Sequence, residues 1–559
     1  LLVEDSRPDL HATLRRFVSN VKGEMKAEAV KGHRWVGRNL PREDGAEKAT
    51  GTGAFVTDMH LPNMLHGKYF RGRLPHALIL NVDVSKALKV RGVKAVLTAK
   101  DCPKDGDGNL LGFGPVVLDY PILAQKKVRY VGEPIAAVAA TDEDAAAEAV
   151  ELIEADYEEL PAVFDPREAL KPDAPLVHED LERYEHVPHF KPIRYGNVAY
   201  RVKVLKGNPG KAFEEADHVL EQEFGTSTHH QCYLEPHAVV AQVDVKGKVT
   251  AWTSTQTVAE TRQGLSDTLA IHPSRIRVIA PFIGGGFGGK LSVRIEPHAI
   301  LLARMTGRPV KIVLTREEEF ISGHPRHPFR LKYKTGVMKD GRITAREIRF
   351  IADSGAYAHQ GPGVVGTAAS RAQGPYHVPH VRVDGSLVYT NKVPFGGYRG
   401  YGGPQVHFAG ESQLDDLAAE IGIDPIELRM KNGMTTGGRL LTGQSTPHAA
   451  YQETLRRAAA ATGWDWENRK KPAPKPRDPR KKTGIGVASM EHGSAIYASS
   501  AIVKMESGGG LTVMAGGTEI GAGQRTIFAQ IAAEALGVPI ERISIVLSDT
   551  LTAPYDWST

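Results

Sequence analysis

The chain has 559 residues, 41% hydrophobic and 24% charged, so it is long enough for several domains and has an ordinary globular composition. Its net charge of +5, from 70 basic and 65 acidic residues, gives no reason to expect a nucleic-acid partner. No apolar run of about 18 residues predicts a membrane span, and the first residues lack the order of a signal peptide. We therefore expect a cytoplasmic protein. Two cysteines, Cys102 and Cys232, are too few for a Cys₄ zinc site or an iron–sulfur cluster within the chain.

The first third of the sequence predicts an arm, a compact domain and a connection. Residues 1–44 form the arm, which begins as a short helix. In residues 45–165, the strand-like runs HGKYFRG, VKAVLTA and IAAVAA are separated by turn residues. An alanine-rich helix follows, with Thr141 as its predicted cap and Asp144 three residues later. Residues 166–215 are rich in Pro, Lys and Glu without a clear period, which predicts a connecting segment.

The rest of the sequence predicts two further units joined by a linker. In residues 216–463, strands such as VTAWTST, RIRVIAPF and RPVKIVLT alternate with helices such as TVAETRQGLSDTLAI, which indicates α/β or α+β architecture. Residues 464–484 contain RKKPAPKPRDPRKK, a proline-rich and charged stretch that predicts an extended linker. Binding of an acidic surface by this stretch is the less favoured alternative. Residues 485–559 read as strand, glycine turn and helix, the start of another domain.

The stretch FIGGGFGGKL, residues 282–291, raises the question of a nucleotide-binding P-loop. Gly284 to Lys290 spell G-x-x-x-x-G-K, but a P-loop continues with Ser or Thr to hold Mg²⁺. Here the next residue is Leu291, which has no oxygen to offer. A P-loop-like nucleotide-binding protein therefore remains an alternative that the sequence disfavours.

Three glycine loops carry the strongest functional signal: IGGGFGGK (283–290), GGYRGYGGPQ (396–405) and GGTEIGAGQRT (516–526). Glycines let backbone N–H groups approach an anion closely. The second and third loops run directly into predicted helices, whose N-termini favour phosphate. One such loop is weak evidence, but three predict a large phosphate-bearing cofactor held between domains.

Together these loops resemble the molybdenum-binding large subunit of the xanthine dehydrogenase and aldehyde oxidoreductase family. The stretches KVRYVGEPIAAVAATDEDAAAEAVELIEADYEELP, HHQCYLEPHAVVA and TNKVPFGGYRGYGGPQ add to the resemblance, which covers nearly all of residues 45–555. It implies an α+β (mixed α/β) fold, with a hammerhead-type domain at 45–165 followed by molybdopterin-binding domains, the last one incomplete. It also implies a molybdenum–molybdopterin cofactor, which bacterial members often carry as a dinucleotide such as the cytosine form.

The resemblance assigns roles to residues of the first two loops. Gln256 matches the glutamine beside the metal's oxo group, and Phe287, with its neighbours Gly286 and Gly288, matches a loop whose backbone faces the cofactor. Arg399 matches an arginine beside the molybdenum, where a guanidinium stabilises developing negative charge. Gln256 and Arg399 are thus the expected catalytic residues. A helix-capping amide at Gln256 and a surface salt bridge at Arg399 are the purely structural alternatives.

Further residues are expected to bind cofactor or substrate. Tyr401 matches an aromatic residue that stacks on flat substrates, with core packing as the alternative. Leu291 is the second expected substrate contact. In the family's third loop a glutamine usually stands between two glycines. Here Ala522 stands between Gly521 and Gly523, and Gln524 follows; these four are the expected cofactor-binding residues. No side chain is expected to ligate the metal directly. His492 and Glu491 are further candidates for the pocket wall.

Departures from the family pattern narrow the substrate. Purine-oxidising members carry Glu where this chain has Leu291, and a second substrate-binding Arg would fall near Thr367, with Arg371 close by. Loss of both polar anchors makes xanthine an unfavourable substrate, because each unmade hydrogen bond costs about 1–3 kcal/mol. Carbon monoxide dehydrogenases of the family carry a Cys in the loop that matches residues 395–401. This chain has no Cys there, which argues against that activity. We expect a flat, largely apolar aromatic, N-heterocyclic or aldehyde substrate.

The resemblance implies hydroxylation with water as the oxygen source and electron transfer to other chains. With two cysteines and no Rossmann fingerprint, this chain is expected to rely on a 2Fe–2S small subunit and an FAD medium subunit. The family's general base is a glutamate in a Gly-Glu motif of the last domain, and no glutamate here matches it. We therefore expect a continuation or companion chain to supply the rest of that domain. A non-catalytic scaffold chain is the remaining alternative.

Overall fold

The computed structural model describes residues 32–187, 195–472, 478, 480–493 and 498–557. Helices and strands alternate in mixed order, and each kind is numbered along the chain. The strands are β1 (Leu65–Arg71), β2 (Ala77–Asp83), β3 (Val93–Thr98), β4 (Gly112–Phe113), β5 (Tyr120–Pro121), β6 (Lys127–Val128), β7 (Pro134–Ala140), β8 (Glu154–Glu159), β9 (Val198–Lys206), β10 (His218–Gly225), β11 (Ala238–Val243), β12 (Val249–Thr253), β13 (Ile276–Ile279), β14 (Val310–Val313), β15 (Phe329–Val337), β16 (Ile343–Gly355), β17 (His380–Tyr389), β18 (Ala501–Met505), β19 (Leu511–Ala515) and β20 (Ile543–Val546). The α-helices are α1 (Gly45–Thr50), α2 (Glu143–Glu151), α3 (Pro209–Glu214), α4 (Val258–Leu269), α5 (Glu296–Thr306), α6 (Arg316–Ser322), α7 (Gly361–Arg371), α8 (Gly403–Glu420), α9 (Pro425–Asn432), α10 (Tyr451–Thr462) and α11 (Gln524–Leu536).

A seven-stranded sheet runs through the first half of the molecule in the order β13-β12-β11-β14-β1-β7-β3. Strand β1 pairs antiparallel with β7 and parallel with β14, where Leu65 lies opposite Val310. The predicted hammerhead-type region and the region after residue 216 therefore share one sheet. Helices α4 and α5 cover it, and their buried Leu265 and Leu302 join one apolar cluster with the strands. Smaller sheets, β6-β2-β8 and β4-β5, extend the first region.

A five-stranded sheet, in the order β10-β15-β16-β17-β9, forms the second core. One face packs against α7 and α8, where Val364 and Ala409 join the buried residues of β15 to β17. Arg429 of α9 is fully buried, and its Nε donates to Glu411 of α8 at 2.8 Å, so this charge inside the core is paired. This sheet and its helices carry residues 396–405 to the edge of the first core.

A three-stranded sheet, in the order β18-β19-β20, packs against α11 through Val513, Ala533 and Ile545. Residues 32–38 fasten to the same helix: the Glu534 carboxylate accepts from the Trp35 amide at 2.7 Å. The helix predicted for the start of the arm lies outside the described residues. All five residues of β18 are exposed, so this strand leaves one edge of the sheet open within the described part of the chain.

The mixed α+β fold is confirmed, and the quoted strands and helices are found within a few residues of their predicted positions. Two details were wrong. Asp142, not Thr141, caps α2, since its carboxylate accepts from the Ala145 amide at 2.8 Å. The alanine-rich helix was predicted over TDEDAAAEAVELIEADY, residues 141–157, but the last four of these residues belong to strand β8. Residues 195–215, in the predicted connecting segment, contain α3 and the edge strand β9, which pairs with β17.

The predicted linker begins as part of the core. Trp464 is buried, and its indole N–H donates to Asp424 at 3.1 Å. Residues 473–477 and 479, in the middle of that stretch, lie outside the described residues. The linker prediction is therefore not tested at its centre.

Candidate active site

The loop 284–290 follows β13 and has a backbone shape that requires glycine. Gly288 adopts φ +100°, and a Cβ there would lie 2.7 Å from the Gly397 carbonyl oxygen. A Cβ at Gly286 would lie 2.4 Å from the side-chain oxygen of Gln256. Between them Phe287 has φ +53°, in the left-handed region that is uncommon for a residue with a side chain. The glycines thus allow the loop to touch both Gln256 and residues 396–405.

Gln256 holds this loop in place. Its side-chain Oε1 accepts from the backbone amides of Gly288 at 2.8 Å and Lys290 at 3.2 Å. The backbone amide of Gln256 donates to the Lys290 carbonyl at 2.8 Å. Thr257, the N-cap of α4, makes no side-chain capping bond, and Gln256 does not cap the helix either. Within the described residues no acceptor bonds to Nε2 of Gln256, so this donor remains available.

Lys290 points away from the solvent and cannot serve as a P-loop lysine. Its side chain is 0% exposed, and Nζ donates to Glu235 at 2.8 Å. The same carboxylate oxygen accepts from the Gly284 amide at 2.8 Å. Burial lowers the pKa of Lys290, and the charge of Glu235 acts in the opposite direction. Together with Leu291, this inward ion pair disfavours the nucleotide-binding alternative.

Arg399 meets the first loop at Phe287. Its amide donates to the Phe287 carbonyl at 2.9 Å, and its guanidinium carbon lies 5.1 Å from the centroid of the Phe287 ring. No acidic side chain pairs with this guanidinium within the described part of the chain, so the salt-bridge alternative has no partner there. Arg326 supports the backbone, because its guanidinium donates to the Arg399 carbonyl at 3.0 Å and stacks on Tyr398.

The two loops border an open cavity of about 670 Å³. Its walls are mixed polar and apolar, and Arg399 is among the residues that line it. The lining residues are Gln231, Phe287, Arg326, Tyr398, Arg399, Gly400, Pro404, Met490 and His492. The predicted site residues Phe287 and Arg399 are thus brought together, and residues from just before the third sheet close one side. Burial raises the pKa of the neighbouring Glu491 to about 7, against the opposing charge of Arg371.

The third loop approaches from a different side and uses some of its amides internally. The buried Glu519 accepts from the amides of Gly521 at 2.8 Å and Gly523 at 3.0 Å. Gln524 begins α11, and its Oε1 is buried without a hydrogen-bond partner within the described residues. None of residues 521–524 lines the 670 Å³ cavity. Their cofactor contacts, including that of Ala522, remain a prediction.

Leu291 and Tyr401 both lie close to Gly397 of the second loop. A Cβ at Gly397 would lie 2.8 Å from Leu291 Cδ1 and 3.3 Å from Tyr401 Cε2. Tyr401 is partly buried and its hydroxyl donates to Gln360, so the ring is fixed in orientation. Behind it, Gln360 Nε2 donates to Ser292 Oγ at 2.9 Å. The two predicted substrate residues therefore both lie next to Gly397, and neither is among the residues that line the 670 Å³ cavity.

Several polar residues of the site were not predicted. Glu235 joins the ends of the first loop, and the amide of Gln231 donates to the Gly397 carbonyl at 2.7 Å. Glu260 accepts from Ser292 Oγ at 2.6 Å, and its burial raises its pKa. Each lies more than twenty-five residues from its loop partner in sequence, so spacing alone carries no signal for them. The stretch HHQCYLEPHAVVA, which contains Gln231 and Glu235, was noted only for its resemblance.

Family models match three parts of the chain. A model of the aldehyde oxidase and xanthine dehydrogenase a/b hammerhead domain matches residues 50–161, and models of molybdopterin cofactor-binding domains match residues 190–433 and 458–559. The nicotinate dehydrogenase large molybdopterin subunit of Eubacterium barkeri is 38% identical over 429 residues, which are 77% of this chain and 96% of that protein. The chain belongs to the xanthine dehydrogenase family of molybdenum-binding subunits. It is thereby a subunit of a molybdenum-dependent oxidoreductase.

Other relatives and solved structures agree with this membership. A probable xanthine dehydrogenase subunit from Bacillus subtilis is 36% identical over 537 residues, 93% of this chain and 67% of that protein. The aldehyde oxidoreductase structure from Desulfovibrio gigas superimposes with a TM-score of 0.82 at 27% identity, covering 96% of this chain and 59% of its own. Quinoline 2-oxidoreductase from Pseudomonas putida gives a TM-score of 0.79 at 28% identity, with 93% and 68% covered.

The residues around the cavity fit the molybdopterin of this family. Within the described residues, Nε2 of Gln256 has no acceptor and the Arg399 guanidinium has no acidic partner, and such donors suit an anionic, oxygen-rich group. Arg399 lines the cavity, whereas Gln256 is not among its lining residues. Gly286 and Gly288 let the loop backbone approach closely. No described helix is long and apolar enough to cross a membrane. Within the same residues no cluster of three or more His, Cys, Asp or Glu is arranged as a metal site.

Proposed function

We propose that this chain is the catalytic subunit of a hydroxylase that oxidises a carbon centre of a flat aromatic, N-heterocyclic or aldehyde substrate. One observation carries the proposal: Gln256 accepts from Gly288 and the Arg399 backbone amide donates to Phe287, so both residues bond to the loop that borders the cavity. Arg399 lines the cavity, and Gln256 holds the loop that borders it; a fixed guanidinium at this wall can stabilise charge developing on a reacting group. The relatives named for nicotinate and quinoline, and the aldehyde oxidoreductase, support the substrate class.

The bound molybdopterin would supply two-electron redox chemistry, and this chain's residues would bind and polarise. Nε2 of Gln256 would donate to the bound cofactor, while Arg399 would offset negative charge at the cavity wall. Leu291 and the ring of Tyr401, both next to Gly397, would give a flat substrate an apolar contact. Because Leu291 cannot hydrogen-bond a purine, we propose that xanthine is a poor substrate. The pyrophosphate of a cytosine dinucleotide form is proposed to meet Gly521, Ala522, Gly523 and Gln524 at the start of α11.

The proposal includes partner chains. Electrons would leave to a 2Fe–2S small subunit and an FAD medium subunit, and a companion segment would bring the carboxylate base. The open edge of β18, with exposed Ile502, Val503 and Met505, supports a further strand docking there. The base must come within about 2.6–3.2 Å of the proton it takes, directly or through one water. We also propose the domain boundaries given above. A cytoplasmic location is proposed as well, and cell fractionation tests it.

The experiment uses the complex purified with its natural partners and a panel of quinoline, nicotinate, benzaldehyde and xanthine. Oxidation in ¹⁸O-labelled water should place the label in the product of at least one of the first three compounds. Label taken from O₂ instead would overturn water as the oxygen source. A complex without molybdenum that oxidises none of them would favour the scaffold alternative.

The missing base is tested separately on the cofactor-loaded chain alone, with an artificial electron acceptor. We expect no turnover, because residues 1–559 hold no matched glutamate. Turnover equal to that of the complex would show that a base exists within the chain.

A further inference from the structure

Lys290 is the one charged residue of the loop 284–290, and its charge is not directed to the cavity. Its Nζ and the amide of Gly284 bond to the same oxygen, Oε2 of Glu235, each at 2.8 Å. A single carboxylate oxygen therefore joins the first and last residues of the loop. Nζ also lies 4.9 Å from the centroid of the Tyr233 ring, which covers it on one side.

The backbone of Lys290 is held as firmly as its side chain. Its amide donates to Gln256 Oε1 at 3.2 Å, and its carbonyl accepts from the Gln256 amide at 2.8 Å. Lys290 thus connects two anchors of the loop, Glu235 through its side chain and Gln256 through its backbone. The loop between them is mostly glycine, and glycine has the largest conformational freedom to lose on ordering.

We propose that the Lys290–Glu235 ion pair is a positioning element that fixes the loop 284–290 and, through Phe287, the backbone of Arg399. This inference rests on the proposed function, since it gives the loop its purpose at a cofactor. The path is continuous: Glu235 holds Gly284 and Lys290, and the Phe287 carbonyl between them accepts from Arg399 at 2.9 Å. Removing one partner of a buried pair leaves an uncompensated charge, so the pair is sensitive to a single substitution.

Tyr233, whose ring covers Nζ of Lys290, is itself held by buried polar side chains. The Tyr233 hydroxyl donates to Glu319 at 2.5 Å, and Arg294 donates to the same carboxylate oxygen at 3.1 Å. Arg316 donates to the Tyr233 carbonyl at 2.7 Å. Because Tyr233 is fixed at both its hydroxyl and its backbone, it forms a rigid wall against which Lys290 packs.

The test compares Lys290→Met with Lys311→Met in the purified complex. Lys311 is a matched control because it is also buried, and its Nζ donates to the Met59 carbonyl at 3.2 Å, away from the loop. Hydrogen exchange of a peptide covering residues 283–291 should be about tenfold faster in Lys290→Met than in wild type. The control should leave that peptide unchanged. Lys290→Arg, which keeps the charge, should recover part of the protection.

Molybdenum content provides a second readout, which should fall at least severalfold in Lys290→Met and remain near wild type in the control. Should Lys290→Met fail to fold, Lys290→Met/Glu235→Gln removes both charges and keeps an acceptor for the Gly284 amide. In that variant the same peptide should still exchange faster than in wild type. Wild-type exchange and wild-type molybdenum content in a folded Lys290→Met or in the double variant would overturn the positioning role alone. Wild-type complex without molybdenum would instead overturn the proposed function.

Discussion

Arg399 and Phe287 are joined twice: the Arg399 amide donates to the Phe287 carbonyl at 2.9 Å, and the guanidinium lies over the Phe287 ring at 5.1 Å. The contact connects two glycine loops that are more than a hundred residues apart in sequence. It also fixes the direction of a charged group whose side chain pairs with no acid within the described residues. The geometry of the site depends on this junction.

Substitution Arg399→Lys should keep the fold and lower kcat/KM by about 10- to 10³-fold. Lysine keeps the charge but loses the planar guanidinium, so the electrostatic contact is misplaced. Steady-state kinetics on the complex measures the effect. Arg382→Lys, on an exposed strand position of β17, is the control and should be neutral. Unchanged rates in Arg399→Lys would place this side chain outside the site.

Substitution Gly288→Ala should cost more stability than Gly437→Ala. Both glycines have positive φ, +100° and +85°, so both substitutions incur backbone strain of about 1 kcal/mol. Only Gly288 adds a clash, with the Gly397 carbonyl at 2.7 Å, whereas Gly437 faces open space. Thermal unfolding and molybdenum content should both fall further in Gly288→Ala. Equal losses in the two variants would show that the loops do not approach this closely.

Replacing Gln256 by Leu should reduce molybdenum content as well as stability. The change leaves the amides of Gly288 and Lys290 without their acceptor, at roughly 1–3 kcal/mol for each buried group. Gln413→Leu is the matched control, because Gln413 is fully buried and its amide donates to the Tyr333 carbonyl at 2.9 Å. The control should lose stability while keeping its molybdenum. Loss of metal in both variants would reduce Gln256 to a structural role.

The sequence predicted the kind of the quoted strands and helices because hydrophobic periodicity and helix signals are local. It also brought Phe287 and Arg399 into one site through their resemblance to a family. It could not predict that Lys290 turns inward, because its partner Glu235 is 55 residues away and the pairing depends on tertiary packing. The cap at Asp142 was missed for a smaller reason: Thr141 and Asp142 are both good capping residues, and backbone conformation selects between them.

Asp119 should make stability depend on pH. Burial raises its pKa to about 6, although the Tyr389 hydroxyl and the Ala358 amide donate to it. Between about pH 4 and pH 6 the folded state therefore binds more protons than the unfolded state, so this group's contribution to stability falls as pH rises. The loss amounts to about 2–3 kcal/mol and is complete above the folded pKa.

Asp119→Asn removes this titration. Denaturant unfolding at pH 4.5 and 7.5 should show a smaller fall in the free energy of unfolding for the variant than for wild type. An equal fall in both would contradict a buried, proton-binding carboxylate at this position.

The central claim is that the loops around Phe287 and Arg399 hold a molybdenum cofactor. Metal analysis of the purified complex, with mass spectrometry of the released pterin, tests it directly. We predict about one molybdenum and one molybdopterin for each copy of this chain. A stoichiometric magnesium nucleotide with no molybdenum would contradict the account.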